Sequence, residues 1–566
     1  MSRYHYYCCS IVLFCVLLSV VNCLEWYDSK VLYQIYPKSF ADSDGNGIGD
    51  LKGIINKAQY LKDLGIGAVW LSPIFQSPMK DNGYDISNYT AIDQVYGTLN
   101  DFKELIKKVH DLGIKVLLDL VPNHTSDEHK WFVDSINKKN GKEDYYVWVD
   151  PDKMSPAGFL PPNNWVSLLG GSAWTYNENR QQYYLHQFAS YQPDLNYHNP
   201  KVLEEIKNVM RYWLDIGVDG FRVDAVPFLV EDKELVSEDQ IQGCTDVNSY
   251  NCFRHDKTKN LKETYNILRE LGTVFEENKY KDQPRKLFLE AYTTLNDTIK
   301  YYSKHATPFN FNLLLLTRDV NATEVEKLLK DWTDVLPKEN RTIWVTGNHD
   351  NPRIGTKMGE DMIDAVSMLS FMAPGNTVTY YGEEIGMVDT YMGRNYKSDP
   401  RNPERTPMQW NSNTSAGFSN ITKTWLPVNP NYWDINQEKE AADKKSHLTI
   451  YKSLVELQND IIEDSNYTTH ILAPYVFALK RANHLLVINL DDRDQEVNLT
   501  KIHDLQATLK VRISSLNAAV TEGDEIKIAD KLWMRPRSGV ILYNSAVMNT
   551  ISILLIIGLS FLHSLI

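Results

Sequence analysis

The stretch VHDLGIKVLLDLVPNH, from Val109 to His124, shows the pattern that decides the fold. An amphipathic segment ends at Gly113, a residue that favours the left-handed conformation of helix caps, and an apolar run follows at once. The same phrase, Asp-Leu-Gly-Ile or Asp-Ile-Gly-Val, recurs at residues 63–66 and 215–218. Continuous apolar runs are typical of strands buried on both faces of a parallel sheet. The repeat therefore predicts βα units.

Five further apolar runs have the same character as these three strands. They begin at Val31, Lys286, Phe309, Thr342 and Asn376. Eight parallel strands with intervening helices predict an α/β fold, a closed (β/α)8 TIM barrel. The alternative is an open, doubly wound sheet, which is disfavoured because no G-x-G-x-x-G motif follows the first strand.

The remaining segments differ from the barrel in composition. A chain of 566 residues is too long for one compact core. Residues 125–199 are rich in Trp, Tyr, Asn, Pro and Gly and predict a small inserted domain over the barrel mouth, so the barrel is expected from 24–124 and 200–468. Residues 469–544 have short apolar or alternating runs with polar turns, which predicts a C-terminal antiparallel β domain.

Both ends of the sequence resemble targeting signals. Residues 1–23 have a basic start, an apolar run and a small residue at the end, which indicates a signal peptide; a membrane anchor is the alternative, but the run is short. Residues 545–566 form an apolar tail after small residues, which indicates a GPI-anchor signal that is removed. We therefore expect the protein on the extracellular face of the plasma membrane. A net charge of −14 disfavours nucleic acid as a partner.

The predicted mature chain also has the marks of the secretory pathway. Its two cysteines, Cys244 and Cys252, are close in sequence and predict a local disulfide. Asn123 matches the glycosylation pattern but is expected to be buried. The sequons at which we expect glycans are Asn88, Asn296, Asn321, Asn340, Asn413, Asn420, Asn466 and Asn498.

Acidic residues stand where four of the predicted strands end. They are Asp119, Asp224, Glu290 and Asp350, and the carboxyl ends of barrel strands form one mouth. Any one of them has a structural alternative as a helix cap or turn residue. Four together repel one another and shift their pKa values, which favours a functional reading. Arg222 projects to the same side as Asp224 and is expected to keep that carboxylate ionised.

Six motifs in order support a family resemblance: DLVPNH (119–124), QPDLN (192–196), GFRVDA (220–225), LEAY (289–292), GNHD (347–350) and GEEIGM (382–387). The sequence resembles the α-amylase family of glycoside hydrolases, in the α-glucosidase branch of maltases, sucrases and oligo-1,6-glucosidases. The resemblance implies that Asp224 is the nucleophile, Glu290 the acid/base and Asp350 a third carboxylate that grips ring hydroxyls. A retaining mechanism predicts that the carboxyl groups of Asp224 and Glu290 lie roughly 5–5.5 Å apart.

The resemblance also implies a set of substrate-binding residues. Asp85 is expected to hold the distal hydroxyls at the closed end of the pocket, with Arg401 as its partner. Tyr84 is expected to stack on the sugar, although packing is its alternative. The remaining members of the set are His124, Phe188, Arg222 and His349.

The loop ADSDGNGIGD, residues 41–50, raises the question of a metal. An EF-hand is excluded because its twelfth position would be Gly53 where the motif requires Glu. The resemblance implies instead a structural Ca2+ loop; the alternative is a turn in which Asp50 caps the next helix. The implied ligands are Asp42, Asp44, Asn46, Ile48 through its carbonyl, and Asp50.

Linkage preference follows from the residue after the nucleophile, which in this family influences the bond cleaved. Ala225 favours maltose, sucrose and short α-1,4 oligosaccharides as the small sugar substrates, cleaved from their non-reducing ends. The alternatives are an oligo-1,6-glucosidase, a transglycosylating sucrose isomerase and, least favoured, a non-catalytic transporter subunit, since the triad is complete. No organic cofactor and no obligate protein partner are expected.

Overall fold

The computed structural model describes residues 24–152, 154–155, 158–337, 340–393 and 399–544. The predicted signal peptide and anchor signal lie outside the described residues. The strands are β1 (Leu32–Ile35), β2 (Ala68–Leu71), β3 (Phe75–Gln76), β4 (Asn88–Ile92), β5 (Lys115–Leu120), β6 (Trp148–Val149), β7 (Met154–Ser155), β8 (Gly158–Phe159), β9 (Trp174–Asn177), β10 (Gln182–Leu185), β11 (Gly220–Val223), β12 (Lys286–Leu289), β13 (Ala306–Pro308), β14 (Ile343–Val345), β15 (Asn376–Tyr380), β16 (Tyr467–Ala473), β17 (Val476–Arg481), β18 (His484–Asn489), β19 (Gln495–Asn498), β20 (Thr508–Ser514), β21 (Glu525–Lys527), β22 (Lys531–Met534) and β23 (Gly539–Tyr543).

The helices alternate with the barrel strands and then flank the C-terminal sheet. They are α1 (Trp26–Ser29), α2 (Pro37–Phe40), α3 (Leu51–Asp63), α4 (Leu99–Asp111), α5 (Lys130–Ile136), α6 (Pro200–Ile216), α7 (Lys262–Gly272), α8 (Leu295–Thr298), α9 (Ala322–Thr333), α10 (Ile354–Met358), α11 (Ile363–Met372), α12 (Gln437–Ala442) and α13 (His447–Ile461). Within the described ranges, none of these helices is both long and apolar enough to cross a bilayer.

Eight parallel strands form the barrel, in the order β13-β12-β11-β5-β2-β1-β15-β14. The ring closes between β13 and β14 through one residue, Asn310, whose backbone N–H donates to Ile343 O and whose carbonyl accepts from Val345 N–H. These two hydrogen bonds complete the cylinder. The predicted barrel is confirmed.

One strand lies earlier than the sequence pattern predicts. The sixth barrel strand, β13, covers Ala306–Pro308, whereas the apolar run was expected to begin a strand at Phe309. Residues Asn312–Leu315 of that run form a 3-10 helix instead. Leu313 of this helix is buried and Leu315 is exposed. Asn310 Oδ1 accepts from Asn312 N–H at 2.9 Å, a local turn bond that ends the extended chain.

The glycines at the helix ends adopt the left-handed conformation that the repeated sequence pattern predicts. Helix α4 begins at a capping box between Thr98 and Asp101 and ends before Gly113, whose φ is +77°. Helix α6 ends at Gly217 with a φ of +118°. A Cβ at either position would be strained, so glycine allows the chain to reverse directly into the next strand.

Alternation along the strands decides which side chains reach the barrel interior. In β11, Phe221 and Val223 pack outward into the main core between strands and helices. Gly220 and Arg222, which alternate with them, face inward. There a separate apolar layer that includes Trp70, Leu117 and Phe288 fills the barrel below the mouth. Arg222 therefore stands on top of this layer, next to Asp119 in register on β5.

In the described part of the chain, five smaller sheets are separate from the barrel sheet, and three of them are strand pairs: β3 with β4, β7 with β8, and β19 with β22. Strands β6, β10 and β9 form an antiparallel sheet within residues 148–185. The C-terminal sheet is antiparallel in the order β16-β17-β18-β23-β20-β21 and has its own apolar core. Cys244 and Cys252 form a disulfide with a Cα–Cα distance of 5.4 Å. Asn123 is 1% exposed, which makes it a poor glycan acceptor.

Candidate active site

A cavity of about 380 Å³ opens at the carboxyl ends of the barrel strands. The loops that follow β5, β11, β12 and β14 each supply part of its wall. Its lining residues are Asp81, Tyr84, His124, Leu168, Phe188, Gln192, Asp224, Ala225, Pro227, Phe228, Lys259, Glu290, Tyr292, His349, Asp350, Asn351 and Arg401. The structure thus brings Asp224, Glu290 and Asp350 to one cavity.

A single guanidinium lies under the cavity and contacts three carboxylates. Arg222 Nη1 donates to Asp119 Oδ1 at 2.9 Å and to Asp224 Oδ1 at 2.5 Å, and Nη2 pairs with Glu290. Arg222 is 1% exposed and does not line the cavity. It was predicted as a substrate-binding residue, but in this position it orients the carboxylates from below.

The two central carboxyl groups have different pKa values. Burial, reinforced by the charges of Asp224 and Asp350, raises the pKa of Glu290 to about 8. Burial also raises the pKa of Asp224, to about 6, against the opposing charge of Arg222. At neutral pH the pair therefore holds a proton on Glu290 and a charge on Asp224.

The backbone that follows β11 and Asp224 also contacts Glu290. Ala225 has a φ of +50°, an uncommon left-handed conformation for a residue with a Cβ, and its N–H donates to Glu290 Oε2 at 2.9 Å. The strained residue thus ties the loop that carries Asp224 to the side chain of Glu290.

Asp350 lines the cavity and is held by two arginines. Arg405 Nη2 and Arg401 Nη1 contact its Oδ1 at 2.8 and 3.0 Å. Burial alone would raise the pKa of Asp350, but the neighbouring positive charges outweigh it and hold the pKa well below its usual range. Arg401 Nη2 also contacts Asp81 Oδ1 at 2.8 Å, so a chain of ion pairs joins Asp81, Arg401 and Asp350 in the cavity wall.

The two histidines and two aromatic residues of the prediction all line the cavity. Tyr84 stacks on His349 with ring centroids 5.3 Å apart, and its hydroxyl lies 2.6 Å from His349 Nε2. Burial lowers the pKa of His349 to about 3 and that of His124 to about 4, so both rings are neutral. Phe188 packs against the ring of His124 at 5.1 Å. Neutral imidazoles suit hydroxyl groups as ligands.

One predicted residue lies elsewhere. Asp85 is fully buried and accepts hydrogen bonds from Ser77 Oγ, Lys80 N–H and Asp81 N–H, so the prediction that it meets the sugar is wrong. Asp81, four residues earlier in the same DNGYDI motif, lines the cavity and is the partner of Arg401. Both residues flank Tyr84, and the sequence alone gave no reason to choose between them.

Other lining residues were not predicted as ligands. Gln192 belongs to the QPDLN motif, and its Nε2 lies 3.0 Å from Asp81 Oδ2 and 3.1 Å from His124 Nε2. The QPDLN motif was the sequence signal from which Gln192 could have been predicted. Tyr292 belongs to LEAY, two residues after Glu290, while Lys259 lies in no motif.

The acidic loop after β1 gathers three carboxylates. Asp42, Asp44 and Asp50 each offer a carboxylate oxygen, and these oxygens lie within 4.8 Å of one another. Asp50 also caps α3, since its Oδ1 accepts from Gly53 N–H at 2.8 Å. The capping bond is therefore present, and the position of Asp50 beside Asp42 and Asp44 is also compatible with the predicted metal-ligating role. An all-oxygen donor set completed by Asn46 and the Ile48 carbonyl suits Ca2+.

The model of the α-amylase catalytic domain matches residues 34–465. The chain belongs to the α-amylase family. Within this family, it is 42% identical over 551 residues to maltase 1 of Drosophila virilis, covering 92% of this chain and 87% of that protein. It is 38% identical over 553 residues to an α-glucosidase of Apis mellifera, covering 92% and 97%. A solved structure of the α-glucosyl transfer enzyme XgtA superimposes with a TM-score of 0.80 at 31% identity, covering 92% of this chain and 100% of that one.

The two acidic residues of the DNGYDI motif give a direct test of the site. Asp81→Asn removes one of the carboxylates that contact Arg401 in the cavity wall, so we expect kcat/KM on maltose to fall about tenfold to a hundredfold with an unchanged unfolding temperature. Asp85→Asn places an amide among three buried donors, so we expect about 2 kcal/mol of lost stability. Thermal unfolding and initial rates measure both. A stable Asp85→Asn that has lost activity, beside a fully active Asp81→Asn, would contradict the assignment.

Proposed function

We propose that the chain is an exo-acting, retaining α-glucosidase that releases glucose from the non-reducing ends of maltose, sucrose and short α-1,4 oligosaccharides. The observation that carries this proposal is the one guanidinium, Arg222, that contacts both Asp224 and Glu290 beneath a cavity. A charged and a protonated carboxyl held together are the two groups that glycoside hydrolysis with retention requires. The α-glucosidase names of the relatives support the same substrate class.

In the first step, a carboxylate oxygen of Asp224 attacks the anomeric carbon. The bond from that carbon to the glycosidic oxygen breaks, and the proton of Glu290 passes to the departing oxygen. The product is a glucosyl ester of Asp224 and a free sugar. The transition state carries positive charge on the ring, and the ionised Asp350 in the same cavity stabilises it while holding ring hydroxyls.

In the second step, the Glu290 carboxylate takes a proton from water. The resulting hydroxide oxygen attacks the anomeric carbon and the ester bond to Asp224 breaks, which restores both side chains and gives α-glucose. Two inversions leave the configuration retained. A second sugar in place of water would give transfer, so product composition separates hydrolysis from the transglycosylating alternative.

We attribute the exo preference to a closed end of the glucose site. In this proposal, the ion-paired side chains of Asp81, Arg401 and Asp350, which line the cavity, form the wall at that end. A glucose unit enters with its non-reducing end against this wall, and the chain beyond it leaves through the mouth. Internal bonds of a polysaccharide do not fit such a blind pocket.

Hydrolysis of maltose and sucrose is the direct test. We expect the wild-type protein to release glucose with α configuration, followed by NMR, and Asp224→Asn to lower kcat about a thousandfold or more because the nucleophile is lost. Thr90→Ser, an exposed conservative change that lies outside the cavity lining and keeps the Asn88 glycosylation pattern, serves as the control. Isomaltose preferred to maltose would favour the oligo-1,6-glucosidase alternative, and β-glucose as first product would overturn retention.

The pH dependence provides a second readout of the same pair. Asp224 must be ionised, which requires a pH above about 6, and Glu290 must be protonated, which requires a pH below about 8. We therefore expect a bell-shaped kcat/KM profile with its maximum between these limits. Glu290→Gln is expected to abolish the alkaline limb together with most of the activity.

We also propose that the loop 42–50 binds Ca2+ as a structural ion. The carboxylates of Asp42, Asp44 and Asp50, the Asn46 side chain and the Ile48 carbonyl would hold it. Asp42 also accepts from Ser419 Oγ, so an ion here would brace the loop against a distant part of the chain. The ion would lie outside the cavity and would take no part in bond cleavage.

Calcium removal tests this proposal by stability. We expect a chelator to lower the unfolding temperature and added Ca2+ to restore it, with Mg2+ much less effective because it prefers a smaller octahedral shell. Asp44→Asn removes one charged ligand of the proposed ion and is expected to abolish the response. The hydrogen bonds described for the exposed Asp44 side chain lie within its own loop, so the change should leave the rest of the fold intact. An unchanged unfolding temperature in chelator, or an equal response of Asp44→Asn, would contradict the proposal.

For localisation we propose an extracellular, GPI-anchored glycoprotein. The Cys244–Cys252 disulfide and the partly or fully exposed positions of the eight sequon asparagines support passage through an oxidising secretory compartment. Release of activity from cell membranes by a phosphatidylinositol-specific phospholipase is the test, and retention on the membrane after that treatment counts against the anchor.

A further inference from the structure

One cation in the cavity wall has no role in the mechanism above. Lys259 lines the cavity together with Leu168, Phe228 and Tyr292. Its Nζ donates to the carbonyl oxygen of Tyr292 at 2.7 Å and lies 5.3 Å from the ring centre of Phe228. Among the described residues, no carboxylate forms an ion pair with it.

The contact with Tyr292 places Lys259 beside the leaving group. Tyr292 comes two residues after Glu290, and Glu290 must stand next to the glycosidic oxygen that it protonates. Side chains attached to this loop therefore flank the sugar that departs. The ion-paired Asp81 and Arg401, by contrast, line the part of the cavity to which the proposed function assigns the retained glucose.

The next residue fixes the position of Lys259. Asn260 N–H donates to Pro227 O at 2.8 Å, and Asn260 Nδ2 donates to Thr293 Oγ1 at 2.6 Å. Tyr301 donates its hydroxyl to Asn260 Oδ1 at 2.7 Å. Asn260 therefore ties the segment both to the loop after Asp224 and to the loop after Glu290. The ammonium is held in place before any substrate binds, which limits the entropy lost on binding.

The ammonium retains donors for a ligand. Its three N–H groups can donate, and the Tyr292 carbonyl accepts from one of them. Nearby Leu168 and Phe228 offer apolar surface with no side-chain hydrogen-bond group. Hydroxyl oxygens of a departing sugar would accept from the remaining N–H groups, whereas an apolar leaving group has nothing to offer them.

We infer that Lys259 is a specificity-determining residue that selects a polyhydroxylated leaving group, a sugar or sugar chain, over an apolar aryl group. The inference rests on the proposed α-glucosidase function, and it assigns to the Lys259 ammonium the binding of the departing half of the substrate. Lys259 acts by binding and neither donates nor accepts the catalytic proton.

Two substrates with the same glucose and different leaving groups test it. In Lys259→Met, which keeps the length and loses the charge, we expect the ratio of kcat/KM on maltose to kcat/KM on phenyl α-glucoside to fall about tenfold. The fall should come from a higher KM for maltose, with kcat within about twofold, because the lost contact belongs to binding. Lys259→Arg should restore most of the ratio.

Lys257→Met is the matched control, since Lys257 lies two residues away and does not line the cavity. An unchanged ratio in Lys259→Met overturns the inference. An equal loss on both substrates also overturns it, because it would mean that Lys259 only positions the loop of Glu290. If Lys259→Met does not fold, Lys259→Gln is measured in the same way. A wild-type protein that cleaves neither substrate would instead refute the proposed function.

Discussion

The contacts of one buried guanidinium determine the arrangement of the site. Strand register pairs Arg222 with Asp119 on β5, and alternation within β11 places Asp224 on the same side two residues later. Three carboxylates at the top of an apolar barrel would repel one another strongly in the absence of a cation. A buried charge without its partner costs about 3–5 kcal/mol, so the cluster is stable only as a unit. The barrel strands thus place the three carboxylates close together, and the charge of Arg222 offsets their mutual repulsion.

The distribution of charge within the cluster separates the roles of the acids. Asp350 contacts two arginines and stays ionised, whereas Glu290 has one shared guanidinium and keeps its proton. Asp224 lies between these extremes. The pKa values of these three carboxyl groups therefore differ according to burial and the number of cations that each one contacts. Neutral His124 and His349 add hydrogen bonds without disturbing this balance.

The sequence revealed the features that depend on local pattern. Glycine-capped helices followed by apolar runs predicted the barrel, and strand-end acids predicted Asp224, Glu290 and Asp350. It failed where long-range contacts decide the outcome. Asp81 and Asp85 belong to one motif, and only the folded loop turns Asp85 inward to Ser77 and leaves Asp81 facing Arg401. Lys259 belongs to no motif, because its position depends on the bonds of Asn260 to two separate loops. The sixth strand shifted because a side-chain turn at Asn310 ended it early.

The closure of the ring at Asn310 has a mechanical consequence. Two backbone hydrogen bonds join β13 to β14, which makes this junction the seam of the barrel. Elements held by few bonds open first in local fluctuations. The seam separates β12, the strand of Glu290, from β14, the strand of Asp350, while β11 and β5 lie on the far side of the ring order. Compliance is therefore expected between the loop of Glu290 and the loop of Asp350, whereas the Arg222 contacts with Asp119 and Asp224 join neighbouring strands away from the seam.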